Sequence, residues 1–337
     1  MNRKIMLTLL SVSILLSILG SCTPPNSSDE PILVKIAHTD SSTRSTHLWS
    51  VWLGEYLEEN APGKFIVEVY PDGELGDTSD LIEGLKENVV NMVFDLSAVI
   101  AAAAGPEAAC IDLPYLYPTY EDWLVGTFEN GGLELFRDSL KDSGYYCIDM
   151  YYNGMRQVIS RTEIYRSPSD VKDQTVRIAR NLLNIELWRI MGAYPAPMAW
   201  DRVIDALEKG QIDALDHSLG VFNDFSLHKT APYITLTNHA SSPFPIITSL
   251  KWINSLKPEL RKILEEGVHK MARQQRIEER AKETEYLERF RSEGATVEEL
   301  TSEEIAVFIE AVQPVYDIWR EIAGDKAVNE WLATVPD

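Results

Sequence analysis

Alternating apolar and polar runs divide the chain into short strands and helices in a regular order. Ile32–Ala37 (ILVKIA) is apolar on both faces and predicts a first strand, followed by a polar loop over 38–46. Leu48–Glu59 carries apolar residues at helical spacing and stops at Pro62-Gly63. Lys64–Tyr70 (KFIVEVY) is a second strand, closed by Pro71-Asp72-Gly73. Asp77 is placed to cap a helix running to Glu87, and Asn91–Leu96 is a third strand. This βαβαβ order predicts a parallel sheet with right-handed crossovers. Ligands of such sheets bind beyond the carboxyl ends of the strands. Here those ends carry His38–Thr46 and Asp95–Ala98.

The small-residue run Ala101–Gly105 reads as the end of a short helix. Ile111–Leu116 is strand-like, with a proline that puts it at an edge or a bend. Tyr120–Ser143 is helical up to Gly144, and Tyr145–Tyr152 is a strand. A second α/β unit follows over Asn153–His217: Gln157–Ser160 is extended and Ser167–Asp170 is a turn. Next come a strand at Thr175–Ala179, a helix at Leu182–Met191 closed by Gly192, and a helix at Asp201–Glu208 capped by Asp201. Gln211–Leu215 is a strand, and strands return near Ile234–Thr237 and Phe244–Leu250. Pro258–Arg291 is charged, with no Gly after Gly267 and no Pro after Pro258. A helix of that length reaches roughly 45 Å, more than one domain is wide. It therefore projects into solvent or lies across both units. Ser302–Ile322 supplies two more helical pieces.

A length of 337 residues fits two α/β domains. The formal net charge of −21 excludes nucleic acid as a partner, and an anionic lipid surface as a docking site. An anionic ligand would have to be held by local cations against that field. The N-terminus opens with Asn2-Arg3-Lys4 and an apolar run, Ile5–Leu19, too short and too polar to span a membrane well. It ends in Leu19-Gly20-Ser21-Cys22, which resembles the bacterial lipobox. Residues 1–22 are accordingly expected to be a lipoprotein signal, with lipid attached at Cys22 and a flexible tether over 23–31 (TPPNSSDEP). Loss of Arg3 and Lys4 leaves 29 basic against 52 acidic residues, a mature net charge of −23. Cys110 and Cys147 lie in apolar runs, so a disulfide and two buried thiols both stay open.

The chain lacks GxSxG, HExxH, P-loop and GxGxxG motifs. Its six histidines include no ligand pair at i, i+4, and no metal or cofactor is expected. Two arginines remain, Arg156 and Arg177, near the ends of short β-like runs. Arg177 alternates with Val176 and Ile178, so it faces away from their apolar side. A guanidinium matches a carboxylate bidentately, which a lysine does not.

Several segments in order resemble the solute-binding proteins of tripartite ATP-independent periplasmic (TRAP) transporters, DctP type. They include Tyr70-Pro71, Leu75-Gly76-Asp77, Asp112-Leu113-Pro114-Tyr115-Leu116, Asn153-Gly154-Met155-Arg156-Gln157 and Val176-Arg177. Gly210-Gln211-Ile212-Asp213, Thr237-Asn238-His239 and Pro314-Val315-Tyr316 continue the match. The resemblance implies an α/β, two-lobed periplasmic-binding-protein-like fold with a long helix spanning both lobes. Lobe I would hold 32–153 with about 243–282, and lobe II 154–242 with about 283–334. It also implies a small organic acid held in the interdomain cleft and delivered to a permease of one small and one large membrane subunit, with no ATPase.

Arg177 matches the family's signature carboxylate-binding arginine, and Arg156 a frequent second one. His217, Trp200, Arg180, Ser97 and Thr39 complete the expected ligand contacts. NGMRQ and PAPMAW are close to the family's sialic-acid binders, but Arg180, His217, Leu96 and Trp200 depart from them. The loss of a polar partner at Leu96 argues against sialic acid. The expected protein is therefore a monomeric, lipid-anchored, extracytoplasmic solute-binding protein and not an enzyme. Its rivals are a sensory lipoprotein presenting ligand to a membrane receptor, an ABC-type binding protein and a secreted lyase or hydrolase.

Overall fold

Eleven strands form among the described residues, and the apolar runs account for most of them. In chain order they are β1 (Ile32–Ala37), β2 (Phe65–Tyr70), β3 (Met92–Phe94), β4 (Tyr145–Met155), β5 (Gln157–Ser160) and β6 (Thr175–Ile178). They continue with β7 (Tyr194–Pro197), β8 (Ala214–His217), β9 (Tyr233–Leu236), β10 (Ser241–Ser249) and β11 (Thr296–Glu299). The structure is a computed structural model that describes residues 30–336. The expected signal, the lipid site Cys22 and all but the last two residues of the tether lie outside the described residues.

Two sheets result, ordered β2-β1-β3-β10-β4 and β11-β9-β5-β8-β6-β7. In the first, β1 runs parallel to both β2 and β3, as the βαβαβ pattern requires, while β10 is antiparallel to β3 and β4. The helix Ser45–Asn60 covers one face, where Leu53 and Leu57 meet Val34, Ile36, Leu264 and Met271. The helices Thr78–Glu87 and Ser97–Ala104 cover the other. Asp77 caps the first of these through Ser79 and Asp80 in a reciprocal capping box. In the second sheet, Val203, Leu207, Phe222 and Phe290 pack on Ile159 and Leu215.

The chain passes between the sheets twice as strand. Arg156 alone separates β4 from β5, and residues 237–240 separate β9 from β10. A third connection is the helix Pro258–Ser292, 35 residues long. Its Leu264 and Met271 lie in the core beside the first sheet and its Phe290 in the core beside the second. It lies across both units instead of projecting into solvent.

Several local expectations are corrected. Ile111–Leu116 is no strand: Ala108–Asp112 forms a 3-10 helix, and Tyr115 takes a positive φ of 57°. The predicted helix 120–143 breaks at Gly131, φ 91°, into Tyr120–Phe128 and Gly132–Leu140. Asp201 does not cap a helix; it lies inside a 3-10 turn, Trp200–Arg202, that leads into Val203–Glu208. Residues 302–323 form one helix despite Pro314, followed by Asp325–Leu332. Cys110 and Cys147 are both free and buried.

Gly154 aims the crossing strand. Its φ of 96° lies in the left-handed region, and a Cβ there would come within 2.9 Å of the Cβ of Ser218. Gly154→Ala is expected to lower stability by about 1–3 kcal/mol, from backbone strain and overpacking combined. Urea unfolding of the two proteins checks this.

Candidate functional site

Between the sheets lies a cleft of about 500 Å³. Thr39, Asp40, Asp95, Leu96 and Phe244 line it from the first sheet's side, and Arg177, Met198, Trp200, His217 and Phe225 from the second's. The two walls touch: the Asn181 side-chain amide donates to the Ala98 carbonyl at 2.9 Å. Asn181 also caps the helix Leu182–Ile190, so this bridge is held from both ends.

Strand alternation delivers Arg177 to the cleft. Val176 and Ile178 are fully buried in the core, and Arg177 points the other way, in register with Leu215 of β8. The guanidinium is itself buried. It donates to the Met198 carbonyl through Nε (3.2 Å) and Nη2 (2.8 Å) and lies 5.2 Å from the Trp200 ring centroid. Among the described residues no carboxylate comes within ion-pair distance of it. Burial pushes its pKa down to about 10; Asp216 pulls the other way and Arg156 adds to the fall. It is still charged at neutral pH, so Arg177 is a buried cation with a backbone acceptor and no ion-pair partner among the described residues.

Arg156 has a different fate. Its Nε meets Asp216 Oδ2 at 2.7 Å and its Nη2 donates to the Asp216 carbonyl at 2.8 Å. The same Oδ2 lies 3.0 Å from His239 Nε2, and His239 Nδ1 lies 2.8 Å from the Thr237 hydroxyl. Burial raises the Asp216 pKa, but Arg156 and His239 more than offset this and hold it well below the usual carboxylate range. Arg156 is not among the cleft-lining residues. Its charge is spent on Asp216, one layer behind the wall.

His217 ends β8 and lines the cleft. The Ser218 backbone N–H donates to its Nδ1 at 2.9 Å. Burial, then Arg156 and Arg177, push its pKa well below the ordinary histidine value. The neutral ring therefore carries its proton on Nε2, as a hydrogen-bond donor. Trp200 packs edge-on against His217 (5.5 Å) and Phe225 (5.0 Å).

On the opposite wall, Thr39 donates to Asp95 Oδ2 from its hydroxyl (2.8 Å) and its backbone N–H (3.2 Å). Arg180 lines the rim and is exposed. Ser97 is placed elsewhere: it starts the helix Ser97–Ala104, and its hydroxyl turns back to Asp112 Oδ1 at 2.6 Å. The structure thus gathers Arg177, His217, Trp200, Arg180 and Thr39 around one cavity and sets Arg156 and Ser97 behind it.

Asp40, Asp95 and the Met198 carbonyl had no individual sequence signal, although the loops carrying the two aspartates follow strand ends. Among the described residues no cluster of three or more His, Cys, Asp or Glu is placed to hold a metal. Among them, too, no helix is long and apolar enough to cross a membrane.

A family model, DctP, described as bacterial extracellular solute-binding protein, family 7, matches residues 36–322. The chain is 23% identical over 304 residues to the C4-dicarboxylate-binding protein DctB of Bacillus subtilis (strain 168), covering 90% of this chain and 86% of that protein. A TRAP periplasmic solute binding protein from Shewanella oneidensis, solved with bound succinate, matches with a TM-score of 0.84 at 20% identity. That match covers 90% of this chain and 99% of the other. The sugar acid binding protein DctPAm from Advenella mimigardefordensis strain DPN7T, solved with galactonate, gives a TM-score of 0.84 at 24% identity, covering 90% and 98%.

The Asp216 pair has a stability signature. Its folded pKa lies below the ordinary 3.8, so its contribution is present above that value and is lost as pH falls below it. Asp216→Asn is expected to cost about 3 kcal/mol near neutral pH, because Arg156 loses its countercharge. The gap from the parent should narrow toward about pH 3. Urea midpoints of both proteins at the two pH values test this.

Proposed function

The chain belongs to bacterial extracellular solute-binding protein family 7, and from that premise we propose that it captures a small hydroxylated carboxylic acid in the cleft at Arg177. It hands the acid, unaltered, to a TRAP permease made of a small and a large membrane subunit. It works as a monomer on the extracytoplasmic face, anchored by lipid on Cys22; the lipobox-like Leu19-Gly20-Ser21-Cys22 supports this. The lobes divide as 32–153 with about 243–282 and 154–242 with about 283–334, in keeping with crossings at Arg156 and 237–240.

One observation carries the proposal: a buried, charged guanidinium lines a cavity and, among the described residues, meets no carboxylate within ion-pair distance. A ligand carboxylate would take the remaining donors of Arg177, with His217 Nε2–H beside it as a neutral second donor. The far wall narrows the ligand class. Asp95, Asp40 and Thr39 offer oxygen acceptors there, which suit hydroxyl groups and oppose a second carboxylate. Trp200 supplies a flat apolar face for a sugar-like carbon chain. The volume suits a ligand of sugar-acid size. A dicarboxylate is the second possibility, favoured by Arg180 and Lys86, which also line the cleft. Arg156 acts through Asp216 and His239, holding the wall from which His217 projects.

A thermal-shift panel separates these classes. A hydroxylated monocarboxylate such as galactonate at a hundred times its Kd should stabilise the protein by about 2.7 kcal/mol, read as a rise of several degrees. Succinate should give little, and mass spectrometry should recover the acid unchanged. Arg177→Ala should abolish the shift and Arg177→Lys should leave only a fraction of it. Arg156→Ala should reduce it less, and lower the ligand-free midpoint as well. An Arg177→Ala protein that keeps the full shift would overturn the proposal.

A further inference from the structure

Behind the Asp40 side of the cleft sits a second buried arginine cluster. Arg44 ends the loop after β1, and its side chain is almost fully buried. Four groups surround its guanidinium. Nε lies 3.1 Å from Asp40 Oδ2, and Nη2 reaches Asn153 Oδ1 at 2.8 Å and Glu279 Oε1 at 2.9 Å. Nη1 lies 3.5 Å from Asp224 Oδ2. Asp40 belongs to the first sheet's wall, Asn153 to the crossing strand β4 and Glu279 to the long helix. Asp224 ends the helix Leu219–Asp224, which follows His217 on the second sheet's side. Val221 and Phe225, beside Asp224, line the cleft.

Two details mark this contact as a built one. Gly220 lacks the side chain that would block it: a Cβ there would lie 2.7 Å from Glu279 Oε1 and 2.8 and 2.9 Å from the two terminal nitrogens of Arg44. Arg44 Nη1 and Asp224 Oδ2 are also both buried without a hydrogen-bond partner, yet they are opposite charges facing each other. Unmet buried groups of this kind gain most from a small further approach.

We propose that Arg44 is a positioning residue for capture, a clasp that ties the first lobe's cleft loop and the long helix to the second lobe's Leu219–Asp224 helix when the cleft is shut. It rests on the solute-capture function above but is tested without any ligand. Asp40, Asn153 and Glu279 hold the guanidinium ready from the first lobe, the crossing strand and the long helix. Among these groups only Asp224 and Gly220 belong to the second lobe, on a helix that also meets the long helix through Asn223 and Arg289 (2.9 Å), so they are the places to cut the clasp. Arg44 itself is a poor target, because its removal would strand three carboxylates. Burial already pushes Asp40 up to about 6 and raises Asp224.

The experiment places nitroxide labels at two exposed positions, Glu87 and Glu208, in the full chain, and reads the distance distribution between the lobes by pulsed electron spin resonance without ligand. The parent should show a short-distance, closed population. Asp224→Ala should lower the ratio of closed to open molecules by roughly fivefold. Gly220→Ala, which changes no charge, should shift it the same way by crowding the pair. Both variants should also lower the ligand-free melting midpoint, by crowding at Gly220 and by loss of a buried partner at Asp224, so the distance distributions are read well below every midpoint. Distributions that superimpose for parent and both variants would overturn the proposal, as would a parent with no closed population.

Discussion

Taking a guanidinium out of water costs several kcal/mol unless a countercharge or a full set of acceptors replaces the lost hydration. Arg177 meets only part of that requirement. One backbone carbonyl and the face of Trp200 hold it in place, and nothing anionic completes its environment among the described residues. The strand that carries it is fixed on its other face by Val176 and Ile178 in the core, so it cannot swing out to solvent. The uncompensated charge is therefore a stored preference for an anion. The cavity, the neutral His217 donor and the acceptors across the cleft are arranged around that preference.

Arg156 makes the contrast sharp. It is equally buried and lies at the first crossing, between β4 and β5, yet Asp216 neutralises it and His239 holds Asp216 in place. The two arginines look alike in sequence and differ only in what meets them. A satisfied buried pair stiffens the wall, whereas an unsatisfied buried cation recruits a partner. The antiparallel register of β5 with β8 sets Val158 opposite Asp216 and Gln157 opposite His217. It thereby couples the structural pair to the cleft-lining histidine one residue further on.

Much of this was legible beforehand because it rests on period and punctuation. The first βαβαβ unit, the Asp77 cap, the 35-residue helix and the outward alternation of Arg177 all follow from local residue order. What escaped has physical reasons. The unforeseen strands β7 (YPAP) and β11 (TVEE) are the two edges of the second sheet, where proline and charge are tolerated and the apolar signal is weak. Ser97 stands at a strand end as a ligand contact should, but Asp112 captures its hydroxyl. The side-chain partner of Arg156 lies 60 residues further along the chain at Asp216, which is held in turn by His239 from a third segment, and no spacing rule reaches that far. The Arg44 cluster was missed for the same reason, since three of its four partners come from distant segments.

An acidic protein can still hold an acid because range decides which charges matter. At physiological ionic strength the field of surface carboxylates fades within about 8 Å, while a desolvated pair is screened far less. The net charge of −21 slows the approach of an anion without cancelling the local pull of Arg177. In the proposed capture, closure supplies the selectivity. A ligand can favour the shut form only through contacts that the open form lacks. In the proposed capture, Arg177 and His217 sit on the second wall whether the cleft is open or shut, so binding there alone does not drive closure. The differential contacts must come from the first wall, from Thr39, Asp95, Asp40 and Leu96, as it reaches the far end of the ligand. On the capture function proposed above, Arg177 takes the carboxylate, and the opposite wall is where this chain chooses among carboxylates.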